Sequence, residues 1–362
     1  MRRSYSITIL LFVLVFSFSA TAQNLTPTST PPPLPEDDGE IIKVESRLIV
    51  VPVSVTDGNG QPVKGLGAEH FRVLEENKTQ EVAEVSDAKN VPLEIALLFD
   101  VSASTDAMFR FEQETAAKFL RDVMRPMDRA TIFTIGESPL LVQNRNVANI
   151  SVNTVMNIRP TKQQTAFYDS VSAAAKYLQA NAPPKSRKVV IVISDGEDTN
   201  SDGVIRAIWN AERKIVSNRV SRKELRNIRV KARDSAKLRE QGKVSVALQN
   251  SDTVFYSINP AGSSFQLNKI SQFGQSNMQK FADETGGTAF LPKFVPIDLK
   301  SNYENSANLK QNTQTLKRIF DQLKNELQAQ YLVQYYSDGE FPSDKFVEVK
   351  IDVTLDLPQG KK

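Results

Sequence analysis

The sequence predicts a doubly wound α/β domain with a mainly parallel sheet, together with a small antiparallel β-domain formed by the two ends of the chain. Short, wholly apolar runs alternate with helical patterns in the middle of the chain, and valine-rich β patterns lie before and after that region. The chain has 362 residues, of which 40% are apolar and 24% charged. This composition fits about two domains with buried cores.

The middle of the chain carries the α/β pattern. The apolar runs at 95–99 and 189–193 are typical of strands that are buried on both faces. Residues 108–125 repeat apolar side chains at helical spacing and are followed by Pro126. Such alternation predicts parallel strands with crossover helices on both faces of the sheet. The expected elements are strands at 95–99, 130–135, 189–193 and 253–258 and helices at 108–125, 165–178, 278–284 and 316–327.

The two flanks of this region, 41–90 and 330–362, have β patterns, such as the alternating apolar and polar residues of 346–353. Neither flank has enough strands to bury a face alone. We therefore expect the flanks to pair with each other into the small antiparallel β-domain. The α/β domain would occupy 91–298, and a connecting helix would lie in 299–329.

Residues 1–22 have the features of a signal peptide. Two arginines are followed by the almost wholly apolar residues 7–18, and Ala20-Thr21-Ala22 matches the small-x-small pattern of a cleavage site. An uncleaved anchor is the less favoured alternative, because the apolar stretch is shorter than the roughly 20 residues that span a bilayer. The proline-rich residues 23–40 predict a stiff linker. We therefore expect a bacterial protein that is secreted or held in the periplasm or cell envelope, with no transmembrane segment in its mature chain.

Composition excludes several kinds of site. The chain has no cysteine, which excludes disulfides, thiol nucleophiles, thiolate zinc sites and a lipid-bearing cysteine. It has one histidine, His70, which we interpret as an ordinary strand-edge residue of the β-rich flank. The formal net charge of +3 is nearly neutral for this length and implies neither nucleic acid nor an acidic membrane as a partner.

Residues 204–243 depart from this balance, with 13 basic and 4 acidic side chains. The segment lacks proline and predicts one or two exposed helices inserted in the α/β domain. It is either a solvated surface or a basic docking surface for an anionic partner. Trp209 is its one aromatic residue, whereas single-stranded nucleic acids are commonly bound by several stacking aromatic side chains. We therefore expect no specific nucleic-acid binding.

Five oxygen-bearing side chains are placed to meet at one edge of the predicted sheet. Asp100 directly follows the first apolar strand, and Ser102 and Ser104 come at i+2 and i+4, which point the same way in an extended turn. Thr165 opens a predicted helix, and Asp195 follows the second apolar strand. Because the carboxyl ends of parallel strands gather at one edge, we predict that these five residues converge on one divalent cation. Alternatively, they are separate turn and helix-cap residues.

The donor types select the ion. All five are hard oxygen ligands, which favours Mg²⁺, Mn²⁺ or Ca²⁺ over zinc or copper. Because only two of them are carboxylates, the ion would keep residual positive charge and a coordination position open to water. Such an ion would attract a carboxylate from a protein partner.

The order Asp-x-Ser-x-Ser, then a threonine in a later loop, then an aspartate in Ser-Asp-Gly resembles the metal-ion-dependent adhesion site (MIDAS) of the von Willebrand factor A (VWA) family. The resemblance implies that Ser102, Ser104 and Thr165 ligate the ion directly. It implies that Asp100 and Asp195 contact the ion, often through water.

The resemblance covers 91–298 and implies a Rossmann-like fold. Residues 281–288 are similar to the last helix-to-strand turn of the family, whereas the basic segment 204–243 departs from its usual short helix. With its flanks, the chain resembles exported bacterial proteins that are built around this domain.

These observations favour an exported protein-binding or adhesion module over an enzyme. One alternative is a metal-dependent hydrolase of the cell envelope, for which Glu197 and Asp198 are the nearest candidate bases. Another is a structural protein of envelope assembly. Because no glutamate or histidine accompanies the five donors at a recognisable spacing, we expect no catalytic residue.

Overall fold

The computed structural model describes residues 47–59, 61–102, 106–161, 163–213, 215, 220–259, 269–293, 295, 302–342 and 345–354. The predicted signal peptide, 1–22, and the predicted linker, 23–40, lie outside these ranges. Within them, no helix has the length and apolar character that crossing a membrane requires.

The described chain contains twelve strands and seven α-helices. In chain order they are β1 Arg47–Ser54, β2 Phe71–Glu75, β3 Lys78–Gln80, β4 Val82–Asp87, β5 Leu93–Asp100, α1 Asp106–Val123, β6 Arg129–Ile135, β7 Pro139–Asn146, α2 Ala148–Asn157, α3 Phe167–Asn181, β8 Arg187–Ile193, α4 Asp202–Arg213, α5 Arg222–Asn250, β9 Thr253–Ile258, α6 Lys269–Thr285, β10 Ala289–Phe290, α7 Asn302–Gln328, β11 Gln330–Ser337 and β12 Val349–Val353.

The central sheet has six strands in the order β10-β9-β8-β5-β6-β7. Every neighbouring pair is parallel except β6 and β7, which are antiparallel. The apolar runs that predicted β5, β8 and β9 are buried throughout the sheet, as strands covered on both faces must be. The predicted fold class, a doubly wound and mainly parallel α/β sheet, is confirmed.

Helices cover both faces of this sheet. Alternate residues of β5 point to opposite faces, so that Ile95, Leu97 and Phe99 join one apolar cluster while Ala96 and Leu98 join another. The first cluster packs against α1, α2 and α7, and the second against α3, α4, α5 and α6. The residues of the predicted metal site therefore follow strands that are packed between two layers of helices.

Two small antiparallel sheets join the ends of the chain, as predicted. One has the order β1-β11-β4 and the other β12-β2-β3, so each contains strands from both flanks. The register of the first sheet places Val51 opposite Val333. Between the two sheets, the buried Glu75 accepts hydrogen bonds from the hydroxyls of Tyr335, at 2.9 Å, and Ser337, at 2.8 Å.

Some elements differ from the predicted ones. Strand β4 is preceded by a separate short strand, β3. Glu76 and Asn77 adopt positive φ angles, so the chain turns tightly and β3 pairs with β2. The edge strand β7 and helix α2 were not predicted. Helix α7, expected only as a connection, contributes Leu323 and Leu327 to the core of the α/β sheet, which thus extends beyond residue 298.

The basic segment 204–243 forms most of α4 and α5, but it is not wholly exposed. Ala236 of this segment is buried in the α/β core, as are Val244 and Leu248 just beyond it. These residues lie in the second half of α5, which is the crossover helix between β8 and β9. The first half carries most of the charged, exposed side chains. Helix α5 begins at a capping box in which Ser221 and Glu224 accept hydrogen bonds from each other's backbone N–H groups.

Candidate metal centre

The two aspartates of the predicted site lie at the carboxyl ends of neighbouring strands. Asp100 is the last residue of β5, and Asp195 lies two residues beyond the end of β8. The parallel register pairs Phe99 with Ile193, so both chains leave the sheet side by side. This is the edge at which parallel α/β sheets bind ligands.

Asp100 is held by two hydrogen bonds from neighbouring turns. Its Oδ1 accepts from the backbone N–H of Ser102 at 2.9 Å, and its Oδ2 accepts from the hydroxyl of Ser194 at 2.6 Å. Burial raises the pKa of Asp100, while the hydrogen bonds from Ser102 and Ser194 lower it in part. The bond from Ser194 fixes the carboxylate of β5 against the loop that follows β8.

Asp195 is held in a similar turn. Its Oδ1 accepts from the backbone N–H of Glu197 at 2.9 Å. Burial first, and then the charges of Asp100 and Glu197, raises the pKa of Asp195 to about 6. Since the charge of Asp100 acts on Asp195, the two carboxylates lie near each other, and a divalent cation is the kind of ligand that would relieve their repulsion.

A pair of glycines sets the course of the loop that carries Asp195. Gly196 has a φ of +75°, in the left-handed region that side chains disfavour. A Cβ atom on Gly196 would also come within 2.7 Å of the backbone oxygen of Gly274 in α6. The glycine of Ser-Asp-Gly is therefore required by this local packing.

Thr165 is attached to the loop that follows Asp195. Its backbone oxygen accepts hydrogen bonds from the N–H groups of Thr199, at 2.9 Å, and Asn200, at 3.0 Å. The side chain is only 6% exposed. Contrary to expectation, Thr165 does not open α3, which begins at Phe167 after an N-cap at Ala166 that has no side-chain cap hydrogen bond. Thr165 is therefore not the cap that the alternative interpretation required.

Four of the five predicted donors can thus be located, while Ser104 lies outside the described residues. Asp100, Ser102 and Asp195 lie at the ends of two adjacent strands, and Thr165 adjoins the same loop. Over the described chain, no group of three or more His, Cys, Asp or Glu side chains is placed to hold a metal. Two carboxylates and three hydroxyls, the five predicted donors, are oxygen ligands of the kind that a hard cation accepts.

The strand order of the central sheet and the order of acidic and hydroxyl residues at its carboxyl edge agree with one fold. The domain has the doubly wound, mainly parallel α/β fold that the resemblance to the von Willebrand factor A family implies.

Comparisons with known proteins found solved structures that are partly similar to this chain. No family model and no curated protein matches the sequence. An aerotolerance-related membrane protein from Bacteroides fragilis is 16% identical over 62% of this chain and 99% of its own, with a TM-score of 0.36. Proximal thread matrix protein 1 from the mussel byssus, with a zinc-occupied MIDAS motif, is 12% identical over 70% of this chain, with a TM-score of 0.43. The PilB minor pilin from Streptococcus sanguinis is 15% identical over 66% of this chain, with a TM-score of 0.41.

This chain spans 50% of the length of the mussel protein and 62% of that of the pilin.

Two residues beside the candidate metal site were not predicted. Ser194, which holds Asp100, belongs to the Ser-Asp-Gly sequence and could have been found from it. Glu112 on α1 is only 4% exposed, and burial followed by the charges of Asp100 and Asp195 raises its pKa to about 8. A charged residue at an apolar position of an amphipathic helix was the available signal for Glu112. With a pKa of about 8, this carboxyl is mostly protonated at neutral pH and adds little negative charge beside the two aspartates.

Asp198 is one of the two candidate bases for hydrolysis. Asp198 is buried and accepts hydrogen bonds from the backbone of Tyr168, at 3.2 Å, and from the hydroxyl of Ser201. These contacts join the turn after β8 to the first turn of α3. Asp198 therefore links these two segments, and the hydrogen bonds fix the orientation of its carboxylate.

Proposed function

We propose that the protein binds a protein partner through a divalent cation. Asp100, Ser102, Ser104, Thr165 and Asp195 would hold the ion, and an acidic side chain of the partner would complete its coordination. The observation that carries the proposal is the position of Asp100 and Asp195 at the carboxyl ends of adjacent strands, where burial raises the pKa of both carboxyls.

The donor set supports Mg²⁺, with Mn²⁺ or Ca²⁺ as the other hard cations that oxygen ligands accept. Two carboxylates balance the formal charge of a divalent ion, and the hydroxyl ligands are neutral and add no negative charge of their own. An additional carboxylate is therefore bound favourably at a position that the chain leaves open. The ion would supply the electrostatic attraction, and the surrounding loops would select the partner.

The setting of this function follows from the sequence. We propose that residues 1–22 are removed near Ala22 and that the protein acts outside the bacterial cytoplasm, in the envelope or as a secreted adhesion module. A basic face on α4 and α5 would be a separate contact for an anionic partner, and a structural role in envelope assembly would use the same metal site with another partner.

Calorimetric titration with Mg²⁺ and with Mn²⁺ tests the metal site. Asp100→Ala removes a side chain from the strand end without removing core atoms, so we expect the fold to survive and metal binding to disappear. Ser102→Ala should act more weakly, because water replaces a neutral hydroxyl more readily than a carboxylate. Asp338→Ala, at an exposed loop position, is the matched control. Equal affinity in wild type and Asp100→Ala would reject the site.

Partner binding requires a separate measurement. Proteins captured from an envelope extract in Mg²⁺ should be released by EDTA and should not be captured by Asp100→Ala. An acidic peptide should bind only in the presence of the ion. If neither wild type nor Asp100→Ala binds the metal, even with the acidic peptide present, the proposal is overturned.

We propose further that the protein is not an enzyme. Phosphoester, peptide and ester substrates should show no turnover with or without Mg²⁺. Metal-dependent turnover that Asp100→Ala abolishes would instead establish the hydrolase alternative.

A further inference from the structure

A cavity lies at the opposite edge of the central sheet from the metal centre. Its volume is about 240 Å³, and it is bounded by the amino ends of β5 and β8, the carboxyl ends of α1 and α7, and two segments of the N-terminal flank. Its charged side chains are Lys64, Lys89, Arg125, Asp128 and Arg187. Four cations thus face one carboxylate.

Arg187 is the buried cation of this cavity. Its side chain is 8% exposed, and its Nη1 donates to the backbone oxygen of Leu327 at 2.7 Å and to Oε1 of Gln330 at 2.8 Å. Its Nε is buried without a hydrogen-bond partner. Both acceptors are neutral, so the two hydrogen bonds leave the charge of the guanidinium uncompensated, which is costly in a protein interior.

The neighbouring charges compensate Arg187 only in part, since those of Asp128 and Asp87 favour its charged form and that of Arg125 opposes it. Arg125 pairs with Asp128 at 2.7 Å, and that pair is neutral as a unit. Lys89 pairs with Asp87 at 2.6 Å. Burial, and then the nearby charge of Arg125, lowers the pKa of Arg187 to about 10. After these pairs are set aside, Arg187 and the exposed Lys64 remain as excess positive charge on the cavity wall.

The remaining wall is apolar. Leu93, Val123 and Leu327 line the cavity together with Pro62 and Ala88. A ligand that fits both parts carries one negative charge on an apolar body. A carboxylate matches a guanidinium in shape, because its two oxygens accept parallel hydrogen bonds from the planar fork.

We propose that this cavity is a binding site for a small organic carboxylate, with its anionic group against Arg187 and its hydrocarbon body against Leu93, Val123 and Leu327. Arg187 is the buried one of the two excess cations, whereas the charge of Lys64 is exposed and screened by solvent, which favours a singly charged carboxylate over a phosphate group. The surrounding apolar wall favours an aliphatic acid over an inorganic anion.

The site is separate from the metal centre. Leu93 and Asp100 are the two ends of β5, and a strand of 8 residues spans roughly 25 Å at about 3.3 Å per residue. Carboxylate binding here should therefore persist in EDTA and in Asp100→Ala. Failure of the metal proposal and failure of this one are thereby distinguishable.

Calorimetric titration of the purified protein with hexanoate tests the proposal. Hexan-1-ol supplies the same hydrocarbon body without the charge, and inorganic phosphate supplies charge without the body. We expect saturable hexanoate binding and at least about tenfold weaker binding of the other two probes, since charge-assisted hydrogen bonds and apolar burial each contribute. Equal binding of hexan-1-ol, tighter binding of phosphate, or no saturable hexanoate binding would overturn the proposal.

Substitutions locate the binding site. Arg187→Met should weaken hexanoate binding about tenfold or more, and near-UV circular dichroism reports whether its fold is intact. If Arg187→Met does not fold, Lys64→Met decides, because Lys64 is exposed. It should weaken binding about threefold through loss of a screened charge. Lys176→Met, on the exposed face of α3, is the matched control and should bind as wild type. Unchanged affinity in Lys64→Met and in a folded Arg187→Met would overturn the assignment.

Discussion

Replacing Asp195 by asparagine should stabilise the metal-free protein while abolishing its response to Mg²⁺. The substitution keeps an Oδ1 acceptor for the N–H of Glu197, so the turn is retained. It removes the charge that burial, Asp100 and Glu197 disfavour, which raise the pKa of Asp195 from 3.8 to about 6. At ~1.4 kcal/mol per tenfold change in proton affinity, the ionised carboxylate costs the folded state about 3 kcal/mol, which solvent screening of a partly buried group reduces to about 1–2 kcal/mol.

The sign of the pH dependence follows from the raised pKa. Below about pH 4 the carboxyl is protonated in both the folded and the unfolded chain, and the variant should gain nothing. As the pH rises through 4 to 6, the unfolded chain releases this proton more readily than the folded one, so wild-type stability falls relative to the variant. Above about pH 6 the full difference is present.

Urea unfolding in EDTA at pH 4 and pH 7.5 measures this difference, with the exposed Asp338→Asn as control. With Mg²⁺ at 100 times its Kd, wild type should gain about 2.7 kcal/mol, because the ion binds only the folded state, and Asp195→Asn should gain little. The reasoning is refuted if Asp195→Asn is no more stable than wild type at pH 7.5 in EDTA, or if Mg²⁺ stabilises both equally.

Three further outcomes are expected. Gly196→Ala should cost about 1–3 kcal/mol and weaken Mg²⁺ binding, because it strains a left-handed residue beside Asp195, and urea unfolding with calorimetry measures both effects. Tyr335→Phe should cost about 1–3 kcal/mol in urea unfolding, because buried Glu75 loses a hydrogen bond. The exported protein should begin near Gln23, which N-terminal sequencing measures, and a chain that still begins at Met1 would contradict export with cleavage.

Much of the central sheet could be predicted because its strands have no solvent-facing side. A strand such as β8 must be apolar at nearly every position, and this leaves an unambiguous run in the sequence. The donor pattern was equally local, since Asp100 directly follows one such run and Asp195 comes two residues after another. Pairing of the flanks could be inferred from an elementary need, because neither had enough strands to bury a face.

The features that were missed depend on contacts that sequence spacing does not record. Strand β7 lies at the sheet edge with Leu140 and Leu141 exposed, so its pattern resembles neither a buried nor a regularly alternating strand. Half of α5 is apolar on one side although charge dominates its composition. The proximity of Glu112 to the two aspartates arises only when α1 packs on the sheet.

The pairing of the two flanks has a consequence for the order of folding. Tyr335 and Glu75, which share a buried hydrogen bond, are 260 residues apart in sequence. During synthesis, β1 and β4 therefore precede their partner β11 by the whole length of the α/β domain. That domain is expected to fold first, since its parallel strands and crossover helices are nearly complete before β11 emerges. A chain interrupted before β11 would keep a folded sheet domain but expose two unpaired strands, which are templates for aggregation.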